Sequence, residues 1–133
     1  MAGMPRRSAL RLLGGAPFAG FALSAATAET AHAHALTALA AGAKGTVYKP
    51  KFFTPHEWQT VRVLVDLIIP KDARSGSATD AGVPEFMDFV MTDPAEEARS
   101  REWRQTAMRG GLAWFDNECR VSAAEDAFTL PEM

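Results

Sequence analysis

The chain has one cysteine, Cys119, in 133 residues. A single thiol excludes an internal disulfide framework and a thiolate metal cluster. C-x-x-C-H, the attachment pattern for covalent haem, is missing, as are G-x-G-x-x-G, the phosphate loop G-x-x-x-x-G-K-[ST], H-E-x-x-H and the nucleophile elbow G-x-S-x-G. No apolar run reaches the roughly 20 residues that a bilayer span needs. A basic excess is lacking too, with 14 Lys and Arg against 16 Asp and Glu.

What is present begins at the N-terminus. Arg6, Arg7 and Arg11 precede an apolar stretch from about Leu12 to Leu23, broken by Gly14, Gly15, Pro17 and Gly20, and small residues follow at Ala26-Thr27-Ala28. A short basic region, an apolar region and an A-x-A site make up a cleavable leader. The arginine pair with Leu10 three residues on resembles the twin-arginine export pattern, although Pro5 and Ala9 replace its common neighbours. Cleavage after Ala28 fits best, with Ala31-His32-Ala33 and Ala33-His34-Ala35 as alternatives. Removing residues 1–28 takes away three arginines and no acid, which leaves 11 basic against 16 acidic residues and a net charge of −5. That balance argues against nucleic acid or an anionic membrane surface as partner.

About 105 residues then remain, enough for one domain with a modest core. Residues 29–51, rich in Ala, Gly, Thr and Lys, read as a flexible or extended lead-in. His32 and His34 could share a metal ion on an extended strand, but no third ligand stands nearby. Order is expected from Thr54. Thr54 and Glu57 have capping-box spacing around Pro55, and Trp58, Val61, Leu64 or Val65, and Ile68 recur at helical spacing. Pro70 stops the helix, giving a span of 55–69.

A polar loop leads to a short helix over 84–92, opened by Pro84 and Glu85. A longer helix follows from Pro94. Gly110-Gly111 within it implies either a break or a closely packed neighbour, because each glycine costs about 1 kcal/mol against alanine. Ser122 to Glu125 forms a second capping-box pattern that would open a last helix, and the C-terminus reads as shortened. The sum is an all-α domain of about four helices over 52–133, behind a leader and a lead-in.

Chemistry is harder to find. His56 and Glu57 are sequence neighbours and point about 100° apart on a helix, so His56 reads as a surface residue. Asp66, Asp72, Asp80 and Asp88 lack calcium-loop spacing and read as structural, with Asp72 and Asp80 bonding loop backbone. Cys119, following Trp114 and Phe115 on a helix, reads as buried, with pairing to another chain as the alternative. The tryptophans Trp58, Trp103 and Trp114 fit core or interface equally.

Taken in order, Thr54 and Glu57, then Leu64, Asp66, Ile68, Ile69, Pro70 and Asp72, then Ala81, Gly82, Val83, Phe86 and Asp88, and later Gly111, Leu112 and Asp116, resemble the motif series of the gluconate 2-dehydrogenase subunit 3 family. The resemblance covers about residues 52–126. It implies a small non-catalytic subunit with no cofactor of its own. A large flavoprotein would carry FAD and oxidise a sugar, sugar acid or polyol, and a multihaem cytochrome c could form a third subunit. It also implies export through the twin-arginine translocase to the periplasm, peripheral to the inner membrane through partner subunits. Trp58, Trp103, Trp114 and Phe115 are then candidates for the partner interface. The alternative is a free-standing exported helical binding or structural module; a stand-alone periplasmic enzyme is the third class.

Overall fold

A computed structural model describes residues 24–128. The expected export-signal residues Arg6, Arg7 and Leu10, and the rest of residues 1–23, lie outside it, as do residues 129–133. Among the described residues there are four helices and no strand, so the domain is all-α: α1 (Ala25–Ala43), α2 (Pro55–Ile68), α3 (Val83–Thr92) and α4 (Ala98–Phe128).

Helix α1 occupies most of the stretch that the sequence reading treated as a lead-in; only residues 44–54 remain without regular structure. Two physical causes account for the difference. Alanine has the highest helix propensity, and Ser24 supplies an N-cap, its hydroxyl accepting the Thr27 amide at 3.0 Å. The buried face is made of small residues, Ala31 and Ala35, which pack against α3. Close approach is possible because Gly82 caps α3 with φ +79°, where a Cβ would lie 3.1 Å from Leu39 Cδ1 and 3.2 Å from Ala35 Cβ.

Helix α2 starts as its sequence dictates. Thr54 Oγ1 accepts the Glu57 amide at 3.2 Å, and the Glu57 carboxylate accepts the Thr54 amide at 2.8 Å. Trp58 and Val61 are buried on its inner face. Ile69 leaves the helical region at φ −127°, as expected before Pro70. The loop to α3 is held by carboxylates: Asp72 Oδ1 accepts the Arg74 and Ser75 amides, Asp80 accepts the Ser77 amide, and Asp66 Oδ1 accepts the Thr79 amide at 2.7 Å. These backbone bonds hold the Asp66 and Asp72 carboxyls below the ordinary aspartate range.

Helix α4 corrects four expectations. It begins at Ala98 after a turn, and it runs unbroken through Gly110-Gly111, where a Cβ at either position would meet nothing within 4 Å. Both glycines are exposed, and Gly111 lines an apolar groove of the surface. The helix also continues through Ser122, whose capping pattern is not used: no proline or glycine after Gly111 interrupts the helix, so Ser122 keeps helical neighbours on both sides. Cys119 is exposed, not buried, because α4 has left the packed part of the molecule by that point. The core consists of Phe52, Phe53, Trp58, Val61, Met91 and Leu112.

Candidate functional site

Asp88 is fully buried. Its Oδ1 accepts the Phe52 amide at 2.9 Å and the Phe53 amide at 3.4 Å; its Oδ2 accepts the Lys51 amide at 2.9 Å and the Tyr48 hydroxyl at 2.8 Å. Three successive backbone N–H groups thus form a nest around the carboxylate. A buried carboxylate is tolerated when its oxygens are bonded in this way. The result is a joint: α3 grips the 48–53 segment, which delivers Phe52 and Phe53 to the core.

The joint extends to α1. His34 Nε2 lies 3.0 Å from the Tyr48 hydroxyl oxygen. Since that hydroxyl gives its proton to Asp88, His34 is the donor, with its proton on Nε2. His32 is two residues away on the same helix, about 200° round the axis, so α1 does not present the two histidines to one ion. Burial, then the hydrogen bond and charge of Asp88, push the Tyr48 phenol well above its ordinary range. His34, Tyr48 and Asp88 look like an acid-base relay, but the carboxylate is saturated by the fold's own donors.

A second joint fixes α4. Arg109 Nη1 bonds Glu57 at 2.7 Å, Nη2 donates to the Phe52 carbonyl at 2.9 Å, and the guanidinium lies 4.3 Å from the centre of the Phe52 ring. Partial burial raises the Glu57 carboxyl, and the Thr54 amide and Arg109 together outweigh it, leaving it below the ordinary glutamate range. Buried Arg104 pairs with Glu96 and donates to the Val90 carbonyl, and Gln105 Nε2 donates to the Met91 carbonyl at 2.6 Å. These donors satisfy terminal carbonyls of α3 that the helix itself leaves open. At the surface, His56 meets Asp116 at 2.8 Å. The sequence reading missed Tyr48, Arg104, Gln105 and Arg109, whose partners lie up to 57 residues away.

Beside these polar joints lies an apolar groove of about 550 Å³. Leu64 of α2, Phe86, Met87 and Val90 of α3, and Met108, Trp114 and Phe115 of α4 line it. Trp114 is 64% exposed on its rim. The structure therefore sorts the aromatic candidates. Trp58 is a core residue at 7% exposure and is removed from the interface set. Phe115 is half-buried in the groove, and Trp103 is half-exposed on α4. Among the family-motif residues, Phe86 faces the groove, Val83 is the first residue of α3, and Ile69 and Pro70 are exposed. Ala26 and Ala28, the expected cleavage pair, lie in the first turns of α1.

Among the described residues no group of His, Cys, Asp and Glu could hold a metal ion, and no helix is long and apolar enough to cross a membrane. The arrangement is that of a small all-α domain: its buried polar side chains bond mostly within its own joints, and the groove between α2, α3 and α4 is apolar. Residues 55–132 match the model of the family described as gluconate 2-dehydrogenase subunit 3, and the chain belongs to that family. Comparison with curated proteins and with solved structures returns no match. Family membership makes it a subunit of a gluconate 2-dehydrogenase-like complex, associated with other dehydrogenase subunits.

Proposed function

We propose that this chain is the non-catalytic small subunit of a periplasmic FAD-dependent sugar or sugar-acid dehydrogenase. It escorts the flavoprotein through twin-arginine export and stabilises it afterwards. The observation that carries this reading is the apolar groove with half-buried Phe115 inside it and exposed Trp114 on its rim. Large aromatics in a desolvated pocket are the residues that anchor protein interfaces, and an open apolar surface of this kind on a small domain marks a binding site. Asp66, Asp72, Asp80 and Asp88 are engaged in the fold.

The leader supports the same reading. Twin-arginine transport moves folded proteins, typically those that take up a cofactor before export. The flavin belongs to the large subunit on this account, and a cytochrome c subunit passes electrons onward from it. The complex lies peripheral to the inner membrane through those partners. The test is affinity capture of the full-length chain from membranes and periplasm of cells that export it. Co-purification of a large subunit with flavin absorbance is expected. A chain recovered alone from fractions that hold the dehydrogenase activity would point to the free-standing helical module.

A further inference from the structure

The boundary between leader and mature chain falls inside a helix. Ser24 caps α1, the Ala28 amide donates to the Ser24 carbonyl at 3.0 Å, and the expected scissile bond, Ala28–Glu29, lies one turn in. A peptidase that reads small residues at the first and third positions before the cut must hold the chain extended, and α1 has to melt locally for this. The three A-x-A sites in α1 differ sharply in what that melting disturbs.

At the first site, Ala26 is exposed and Ala28 half-buried, and Glu29 and Thr30 beyond the cut are exposed. Extending this stretch breaks the Ser24 cap and the Thr30 hydroxyl bond to the Ala26 carbonyl, and leaves the packed part of α1 in place. Helix ends fray readily. At the second site the residue at the third position before the cut is Ala31, which is 0% exposed; at the third site the residue at the first position is Ala35, 2% exposed. Using either site pulls the helix off Gly82 or takes His34 from Tyr48.

We propose that the folded domain itself selects the processing site: the chain is cut only after Ala28, and Glu29–Ala43 of α1 remains a structural element of the mature subunit. In the cut, water adds across the Ala28–Glu29 amide, leaving a carboxylate on Ala28 and a free amino group on Glu29. Selection by the fold requires that the domain be folded when the peptidase meets it. The inference thus rests on the reading of residues 1–28 as a leader for export of folded proteins.

The experiment determines the N-terminus of the exported full-length chain, in its complex, by intact mass and terminal sequencing. The wild type is expected to lose residues 1–28 and begin at Glu29. An Ala26→Gln, Ala28→Gln variant, altered at exposed Ala26 and half-buried Ala28 and leaving buried Ala31 and Ala35 in place, is expected to keep its leader or to be cut before Ala26, with no terminus created further into α1. A wild-type terminus at His34 or Leu36, a shift to either in the variant, or an exported chain that keeps its leader in the wild type overturns the proposal. Arg6→Lys with Arg7→Lys separates the two readings: a terminus still appearing at Glu29 in this variant removes the twin-arginine route and selection by the fold with it, whereas loss of export in this variant together with a wild-type terminus at His34 or Leu36 keeps the route and overturns site selection alone.

Discussion

The Tyr48 hydroxyl donates to Asp88 Oδ2 at 2.8 Å, and this bond joins two segments 40 residues apart. It lies where α1, the 48–53 segment and α3 meet, so its loss should be felt through the whole packed half of the molecule.

Replacing Asp88 with Asn puts an amide nitrogen among donors that need an acceptor. The cost expected is about 3 kcal/mol, since a buried donor set loses its charged partner. Tyr48→Phe removes one bond and should cost about 1 kcal/mol. Urea unfolding followed by tryptophan fluorescence gives both values. Equal costs would contradict the assignment of Asp88 as the centre of the joint.

Tyr48 is the chain's one tyrosine, so its ionisation can be followed directly by tyrosinate absorbance. The fold raises its pKa, which means that the neutral phenol is favoured in the native state. The associated stability is fully present below the unfolded value of about 10 and is lost as pH rises above it. Tyrosinate should therefore appear together with unfolding rather than before it, and Tyr48→Phe should flatten the alkaline loss of stability. Smooth titration near the ordinary value in a folded chain would count against the joint.

Gly82→Ala combines a left-handed backbone with a Cβ that would press on Leu39 and Ala35. A loss of about 1 to 3 kcal/mol is expected. Amide exchange should accelerate between Ala31 and Leu39 before it does in α2. Unchanged protection there would show that α1 does not depend on this contact.

Trp114→Ala tests the groove. The side chain is mostly exposed, so stability should change by no more than about 0.5 kcal/mol. Affinity for the large subunit should fall at least about tenfold, as for an interface anchor. Lost stability with intact assembly would place the residue in the fold and the interface elsewhere.

The sequence revealed those features whose signals are local. Thr54, Glu57 and Pro55 define the start of α2 within four residues, Pro84 places α3, and Asp72 and Asp80 bond backbone within three residues of themselves. Helix α1 was hidden because its buried face is alanine, which gives almost no apolar contrast; Ser24 and the run of strong helix formers were the available signals. Asp88 was legible as structural but not as a nest-bound anchor, since every donor to it comes from 35 to 40 residues away. Gly110-Gly111 misled for a related reason: a glycine pair on an exposed helix face looks in sequence like a close contact or a break.

The central claim is that this chain carries its partner out of the cytoplasm. It is tested most directly by fractionating cells in which Arg6 and Arg7 are both lysine and assaying dehydrogenase activity in each compartment. The account predicts that the activity, exported in the wild type, stays in the cytoplasm bound to the unprocessed small subunit. Normal appearance of the activity in the periplasm would contradict it.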